Sequence, residues 1–412
     1  VFPARPRLAC ARLLAAAVPG WGHARLAAVL LRRAEQLAFH LRDDEAVAAA
    51  EEAVATCRGL STPEAAPTAG GVRQQPRISL TLALAALAER LSAAGRYAEA
   101  LEVARQAIDS CEPAYDTLHR PGVTYTSQSA RDTALAKAHH ARSRAFWHHG
   151  RTDEALATLE HAVALLRQAR QVGGNARPGL AAALVQLGGY HAELDRHEEA
   201  LGFFTEAAAT YRRLYWSGRW SYTVPYLAAQ AERARQLGAL GRYEEALAGV
   251  SRPLAYFHLM ARFYPGQYTA AHAALLLAAA RWHAALGEST EALADGHDAV
   301  RLFREHLRSK EETYARAAAV TELAEALGFV AAQLATHGRA VEAGAALDEA
   351  VALLRSVTVP AAGDDPTTTA FLLAECLEGL ARIQDDRGYL VEACLTLDEA
   401  SDIRRRLMRS ES

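Results

Sequence analysis

Long apolar runs, blocks of like charge and paired cysteines are all missing from this 412-residue chain. No stretch approaches the roughly 18 consecutive apolar residues that a membrane-spanning helix needs, so no membrane association is expected. Formal charge is only -3, and no five like charges stand together, so general affinity for nucleic acid or an anionic surface is not expected either. The five cysteines, Cys10, Cys57, Cys111, Cys376 and Cys394, are scattered without any CxxC pair. An odd, dispersed set makes a poor disulfide framework and reads as reduced, mostly buried thiols. There is no GxxxxGK[ST] phosphate loop, no GxSxG nucleophile turn and no HExxH zinc helix, and no enzyme activity is expected. Alternating apolar and polar positions of the kind that mark strands are absent as well. The opening VFPARPRLACARLLAAAVPG has arginines before an apolar run, as a signal peptide would, but Arg12 interrupts the run after four residues. A cytoplasmic protein is the expectation.

What remains is a chain that is 51% hydrophobic and 23% charged, enough to fold around a large core. One phrase recurs in it: AGRYAEAL, HGRTDEAL, LDRHEEAL, LGRYEEAL and LGESTEAL, with weaker copies in FHLRDDEAV, HGRAVEAG and RGYLVEAC. Taking the glycine of each phrase as a mark places the copies at Leu41, Gly95, Gly150, Asp195, Gly241, Gly287, Gly338 and Gly388. Five residues after every mark stands an alanine: Ala46, Ala100, Ala155, Ala200, Ala246, Ala292, Ala343 and Ala393. Seven further on the residue is again alanine, at Ala53, Ala107, Ala162, Ala207, Ala299, Ala350 and Ala400, with Pro253 the exception. Two antiparallel helices joined by a short turn touch closely only where side chains are small, and alanine is also the best helix former. Glycine in the turn supplies the left-handed residue that ends the first helix.

The pattern resembles the tetratricopeptide repeat family, whose unit is a helix, a tight turn and a second helix. The resemblance is clearest in LVQLGGYHAELDRHEEALGFFTEAAATYRRL, through Leu184, Leu187 and Gly188 in the first helix and Ala200, Phe204 and Ala207 in the second. The period departs from the usual unit of about 34 residues. Successive marks lie 54, 55, 45, 46, 46, 51 and 50 residues apart. Long-period arrays of this kind look like those of high-GC bacteria that are similar to kinesin-light-chain repeats. The resemblance implies an all-α, right-handed α-solenoid superhelix of about eight antiparallel helix pairs, or sixteen helices. In outline, residues 1–24 are a lead-in segment, 25–407 a single superhelical domain and 408–412 a tail.

Proline- and glycine-rich linkers are expected at 61–76, 112–129, 171–178, 215–225 and 357–369. Pro253 stands inside the second helix of the fifth pair, and a kink or early break is expected near 249–252. Aromatic residues concentrate between 211 and 268. There Trp216, Trp220, Tyr222 and Tyr264 are candidates for a contact patch, or for rings that seal long linkers against the stack.

The segment HHARSRAFWHHG at 139–150 holds four histidines. His140, Arg144 and His148 share one helix face, but an arginine stands where a zinc-binding histidine pair would need its second ligand, so neither metal nor cofactor is expected. His161 adds only one more possible ligand. By resemblance to the family, the slot six residues before each mark faces the concave groove. It reads Glu35, Glu89, Arg144, Gly189, Arg235, Arg281, Ala332 and Arg382. In the third pair the other groove slots are Lys137, His140, Trp147 and His148, whereas His139 and Arg142 occupy slots where the family buries apolar residues. Lys137, His140, Arg144, Trp147, His148, Arg235 and Arg281 are thus the candidate groove residues. Arginine forks bind carboxylates in bidentate fashion, which points to an acidic or C-terminal segment of a protein partner. Alternatively, Glu193, Glu232 and Glu325 neutralise these cations. The expected function is a non-enzymatic protein- or peptide-binding scaffold or sensor. Its alternatives are the ligand-sensing array of a regulator whose effector domain is separate, and a small-molecule or enzymatic pocket in the aromatic middle.

Overall fold

The computed structural model describes residues 4–17, 19–39, 42–60, 74–111, 125–171, 176–218, 220–309, 313–357 and 366–410. Among the described residues every regular element is helical. The chain forms two compact units, Val1–Tyr226 and Leu227–Ser412. In the first, α1 (Ala4–Ala17) precedes four pairs: α2 (Pro19–Phe39) with α3 (Asp43–Leu60), α4 (Gln74–Ala93) with α5 (Tyr97–Cys111), α6 (Tyr125–His148) with α7 (Thr152–Gln171), and α8 (Arg177–Glu193) with α9 (His197–Trp216). A 3-10 turn, Trp220–Tyr222, leads to α10 (Thr223–Ala239) and its partner α11 (Tyr243–Phe263). The second unit continues with α12 (Pro265–Ala285) and α13 (Ser289–Arg308), α14 (Thr313–Thr336) and α15 (Ala340–Ser356), and α16 (Pro366–Asp386) and α17 (Leu390–Ser410). The all-α helix-pair class is as the sequence implies, with seventeen α-helices among the described residues.

The repeated phrase has one local structure. Gly95, Gly150, Gly241, Gly287, Gly338 and Gly388 all have φ between 70° and 82°, and Asp195, the mark without glycine, adopts φ 56°. Leu41 lies outside the described residues. At each of these seven turns the amide after the mark donates to the carbonyl four residues before it, as Arg96 does to Leu91 at 2.8 Å and Tyr389 to Gln384 at 2.8 Å. This is the six-to-one bond of a Schellman turn, which satisfies a carbonyl the helix end leaves open. After four of the glycine marks stands an arginine that pairs with a glutamate three residues on: Arg96 with Glu99, Arg151 with Glu154, Arg242 with Glu245 and Arg339 with Glu342. The GRxxE signature thus places an exposed ion pair on the first turn of the second helix, without a side-chain cap at Arg242 or Arg339, and such pairs contribute only about 0.3–0.5 kcal/mol each.

Both alanine slots are buried in every pair, and Pro253 is buried in its slot as well. Between pairs, each second helix packs on the following first helix: α3 on α4, α5 on α6 and α7 on α8 in one unit, α11 on α12, α13 on α14 and α15 on α16 in the other. First helices also touch in succession, α2–α4–α6–α8 in one unit and α12–α14–α16 in the other, so each unit has an inner layer of first helices. Helix α14 is long and apolar enough over Arg316–Thr336 to cross a membrane by composition alone, but 56% of that window is buried in the fold. Cys57, Cys111 and Cys376 are buried free thiols, whereas Cys10 and Cys394 are exposed. Burial pushes Cys57 and Cys376 up to about 11.

One detail departs from expectation. Helix α11 runs unbroken from Tyr243 to Phe263 with Pro253 inside it, so the early break near 249–252 does not occur. The ring presses toward the carbonyl four residues back, which belongs to Gly249, a residue whose backbone yields readily. The lead-in is itself the helix α1, with Leu8, Ala11 and Ala15 buried against α2, and Arg12 reaches Glu52 of α3 at 2.6 Å.

Replacing Asp195 by glycine should stabilise the protein by about 0.5–1 kcal/mol, because a left-handed backbone is strained for a residue with a Cβ and free for glycine. A rise in the urea midpoint tests it. His272 is buried beside His258, the two rings 5.4 Å apart. Burial first, then His258 and Arg301, push its imidazole down to about 4, against the attraction of Asp298. Its neutral form is the folded one, so its contribution is complete above the unfolded value near 6.5 and is lost as pH falls toward 4. Between pH 7 and 4.5, His272→Gln should lose less melting temperature than the unaltered protein.

Candidate functional site

In the unit Val1–Tyr226, the inner face of α6 is set between α4 and α8. Lys137 is exposed on it, and His140 is half-buried, facing Glu89 of α4 and Gln186 of α8. Burial lowers the His140 imidazole, with Arg144 and Lys137 adding to the shift and Glu89 opposing it. Trp147 is not an open platform. Its indole stacks on Tyr190 of α8 at 3.9 Å and 8° and donates from Nε1 to Glu193 at 2.9 Å. Glu193 thereby serves the tryptophan, and Arg144 has no ion pair among the described residues. His148 stacks on Tyr97 at the start of α5, 4.2 Å away. Its imidazole is lowered by burial, then by Arg144, while Glu193 opposes. Tyr190 is almost fully enclosed, and burial pushes its phenol up to about 12. Its hydroxyl has no hydrogen bond of normal geometry.

The unit Leu227–Ser412 has its own recess of about 360 Å³, bounded by α10, α12, α13 and α14. Arg235, Arg281, Trp282, Glu322 and Glu325 supply its polar and aromatic rim, and Ala274, Leu277, Ala278 and Phe303 its apolar floor. Both arginines have carboxylate partners. Arg235 Nη1 lies 2.9 Å from Glu232, and Arg281 Nη2 lies 2.6 Å from Glu325. The lining is therefore mixed in charge rather than a row of free cations.

Trp282 and Tyr190 were not among the sequence candidates, yet they hold these faces together in the same way. Each stands five residues before its mark and packs on the residue three before the mark of the preceding pair, Gly238 under Trp282 and Trp147 against Tyr190. A Cβ on Gly238 would lie 2.1 Å from the Trp282 indole nitrogen, so only glycine fits there. An aromatic at that fixed register was the signal available in the sequence.

The aromatic patch divides. Tyr222 is half-buried and stacks on Tyr211 at 6.1 Å, while Tyr215 stacks on Tyr226 at 6.3 Å, so these rings seal the segment after α9. Trp216 is 78% exposed and Tyr264 50%, the former in the first unit and the latter in the second. The Trp220 side chain lies outside the described residues. Among the described residues no group of three or more His, Cys, Asp and Glu side chains is placed to hold a metal ion.

No family model matches this chain, and no curated protein matches it in sequence. Solved structures do match it in shape. The apo form of RapI is 12% identical, with 93% of this chain and 99% of that one covered at a TM-score of 0.55. The apo form of the quorum sensor NprR from B. thuringiensis is also 12% identical, covering 93% and 98% at 0.47. Kinesin light chain TPR-like repeats from Podosopora anserina are 21% identical, covering 56% and 98% at 0.39. The fold is that of a tetratricopeptide-like helix-pair array.

Tyr190→Phe should cost under about 1 kcal/mol, because the lost hydroxyl has no proper partner, whereas Tyr190→Ala should cost about 3–5 kcal/mol by emptying the space beneath Trp147. Urea unfolding of both variants separates the two effects.

Proposed function

We propose that the protein is a non-enzymatic scaffold that holds a peptide or protein segment on the inner layer of its first helices. The observation that carries this reading is the recess in Leu227–Ser412, where the groove slots Arg235 and Arg281 meet an apolar floor beside Trp282. An open recess with a few fixed polar groups over apolar side chains suits recognition of an extended segment. The Arg281–Glu325 pair favours such use. Its side chains are 47% and 45% exposed, so the pair contributes at most about 1 kcal/mol and is readily exchanged for a ligand's own groups.

The mixed lining supports a ligand of alternating charge, whose carboxylate meets Arg235 or Arg281 while its basic or amide groups meet Glu322 and Glu325. In Val1–Tyr226, Arg144 beside His140 offers a separate place for an acidic group. An acidic or C-terminal carboxylate is thus one part of the recognised segment. The working site is one of binding, in which charge selects and the apolar floor retains.

Peptides selected from a random display library against the whole protein should test this. Arg235→Glu with Arg281→Glu should weaken the selected peptides at least tenfold and shift the melting temperature by a few degrees at most, since Arg281 sits in an exposed pair and Arg235 in a half-exposed one. Added salt should weaken binding of the unaltered protein, because exposed charges are screened over about 8–10 Å. Peptides indifferent to both the double reversal and salt would move the site away from this recess.

A further inference from the structure

Two slots of each first helix, eleven and eight residues before the mark, are both apolar and buried in four of the eight pairs. Those pairs hold Leu84 and Leu87, Leu184 and Leu187, Leu327 and Val330, and Leu377 and Leu380, whereas the first holds Leu30 and Arg33, the fifth Gln230 and Arg233 and the sixth Leu276 and Ala279. In the third pair the same slots hold His139 and Arg142. Both are half-buried, and a recess of about 310 Å³ opens beside them between α6 and α7. His139, Arg142, Phe146, Glu154, Thr158 and His161 line it.

Groups able to carry positive charge converge there without compensation. The rings of His139 and His161 meet edge to face, 4.7 Å between centroids. Arg142 lies over the Phe146 ring at 4.9 Å, and Arg151 lies over it at 4.4 Å. The carboxylate of the recess, Glu154, is already held on both oxygens by Arg151, at 2.9 and 2.5 Å. Among the described residues none of His139, Arg142 and His161 has an ion pair, and the buried Nδ1 of His139 has no hydrogen-bond partner. Burial, then His161 and Arg142, push the His139 imidazole down to about 4, so no negative charge here favours its protonation. Setting a histidine and an arginine in slots that leucines fill in the second, fourth and eighth pairs costs stability, and among the described residues no carboxylate pairs with either.

We propose that this recess binds the phosphate group of a small phosphate monoester, with the Arg142 guanidinium and the imidazoles of His139 and His161 as donors. A phosphate oxyanion accepts the planar fork of arginine and the N–H groups of imidazoles together, and it supplies the charge the cluster lacks. The volume exceeds that of the bare ion, leaving the Phe146 and Thr158 side for a small organic group. This site is separate from the recess of the second unit, and neither proposal depends on the other.

Calorimetric titration of the whole protein with inorganic phosphate and, separately, with O-phosphoserine tests the proposal, ionic strength being held constant with chloride. Saturable binding in the millimolar range or tighter is expected, and the stronger of the two probes tells a free ion from an ester. His161→Ala, a change at an exposed residue, should weaken it at least tenfold without loss of helicity. His139→Leu with Arg142→Leu installs the leucines of the second, fourth and eighth pairs and should abolish binding while leaving the melting temperature equal or higher. No saturable heat, or binding indifferent to His161→Ala, would overturn the proposal, and the latter variant decides even if the double leucine variant fails to fold.

Discussion

Close approach of two helix backbones at the paired alanine slots is the constraint on which the other features depend. With Ala100 and Ala107, or Ala292 and Ala299, fully buried at the seam, the turn must reverse the chain within a few residues. It does so through a left-handed residue and a six-to-one hydrogen bond, which is why glycine marks nearly every repeat. Once the seam is closed, each pair has one apolar flank left for the next pair. Stability then accumulates by neighbour contacts, as in other one-dimensional arrays. Pro253 is buried at the seam inside a continuous α11, so the constraint concerns side-chain size rather than alanine as such.

The same geometry fixes where polar side chains can stand. Arg96, Arg151, Arg242 and Arg339, each just after a mark, are bound within one turn of helix in exposed pairs. Arginines of the inner layer are a different population. Arg235 and Arg281 pair with glutamates of the same or a neighbouring first helix, whereas Arg144 has no ion pair among the described residues and Glu193 accepts from the Trp147 indole. Charge on the inner face is thus set by which carboxylates the preceding and following helices bring within reach. Where the frame departs from its apolar pattern, at His139 and Arg142, the fold accepts a less favourable interior next to an open recess. That is the kind of local conflict that binding sites introduce into an otherwise consistent sequence.

Helix pairs, turns and alanine seams were legible in the sequence because they rest on contacts between residues close in the chain. A glycine at the mark, an alanine five residues on and another at twelve specify a hairpin of helices whatever lies beyond it. Periodicity could not tell that Pro253 would be carried inside a continuous α11, since the outcome turns on how the buried ring packs. Nor could the opening residues be read as helix α1, whose formation rests on burying Leu8, Ala11 and Ala15 against another helix. The groove slots were legible as positions but not as chemistry. Trp147 looked like a free ring until Tyr190 and Glu193, more than forty residues away in sequence, were placed around it.

The sequence by itself determined the repeat, its turns, its seams and the faces on which candidate residues lie, since these follow from hydrogen bonding and side-chain size within about a dozen residues. Only the tertiary structure decided which of those residues are engaged. The stacking of Trp147, the close fit of Trp282 on Gly238, the pairing of Arg281 and the unmatched cluster at His139 all join residues on separate helices. Their distances are set by how successive pairs pack, which a repeat pattern leaves open because many side-chain combinations satisfy the same spacing.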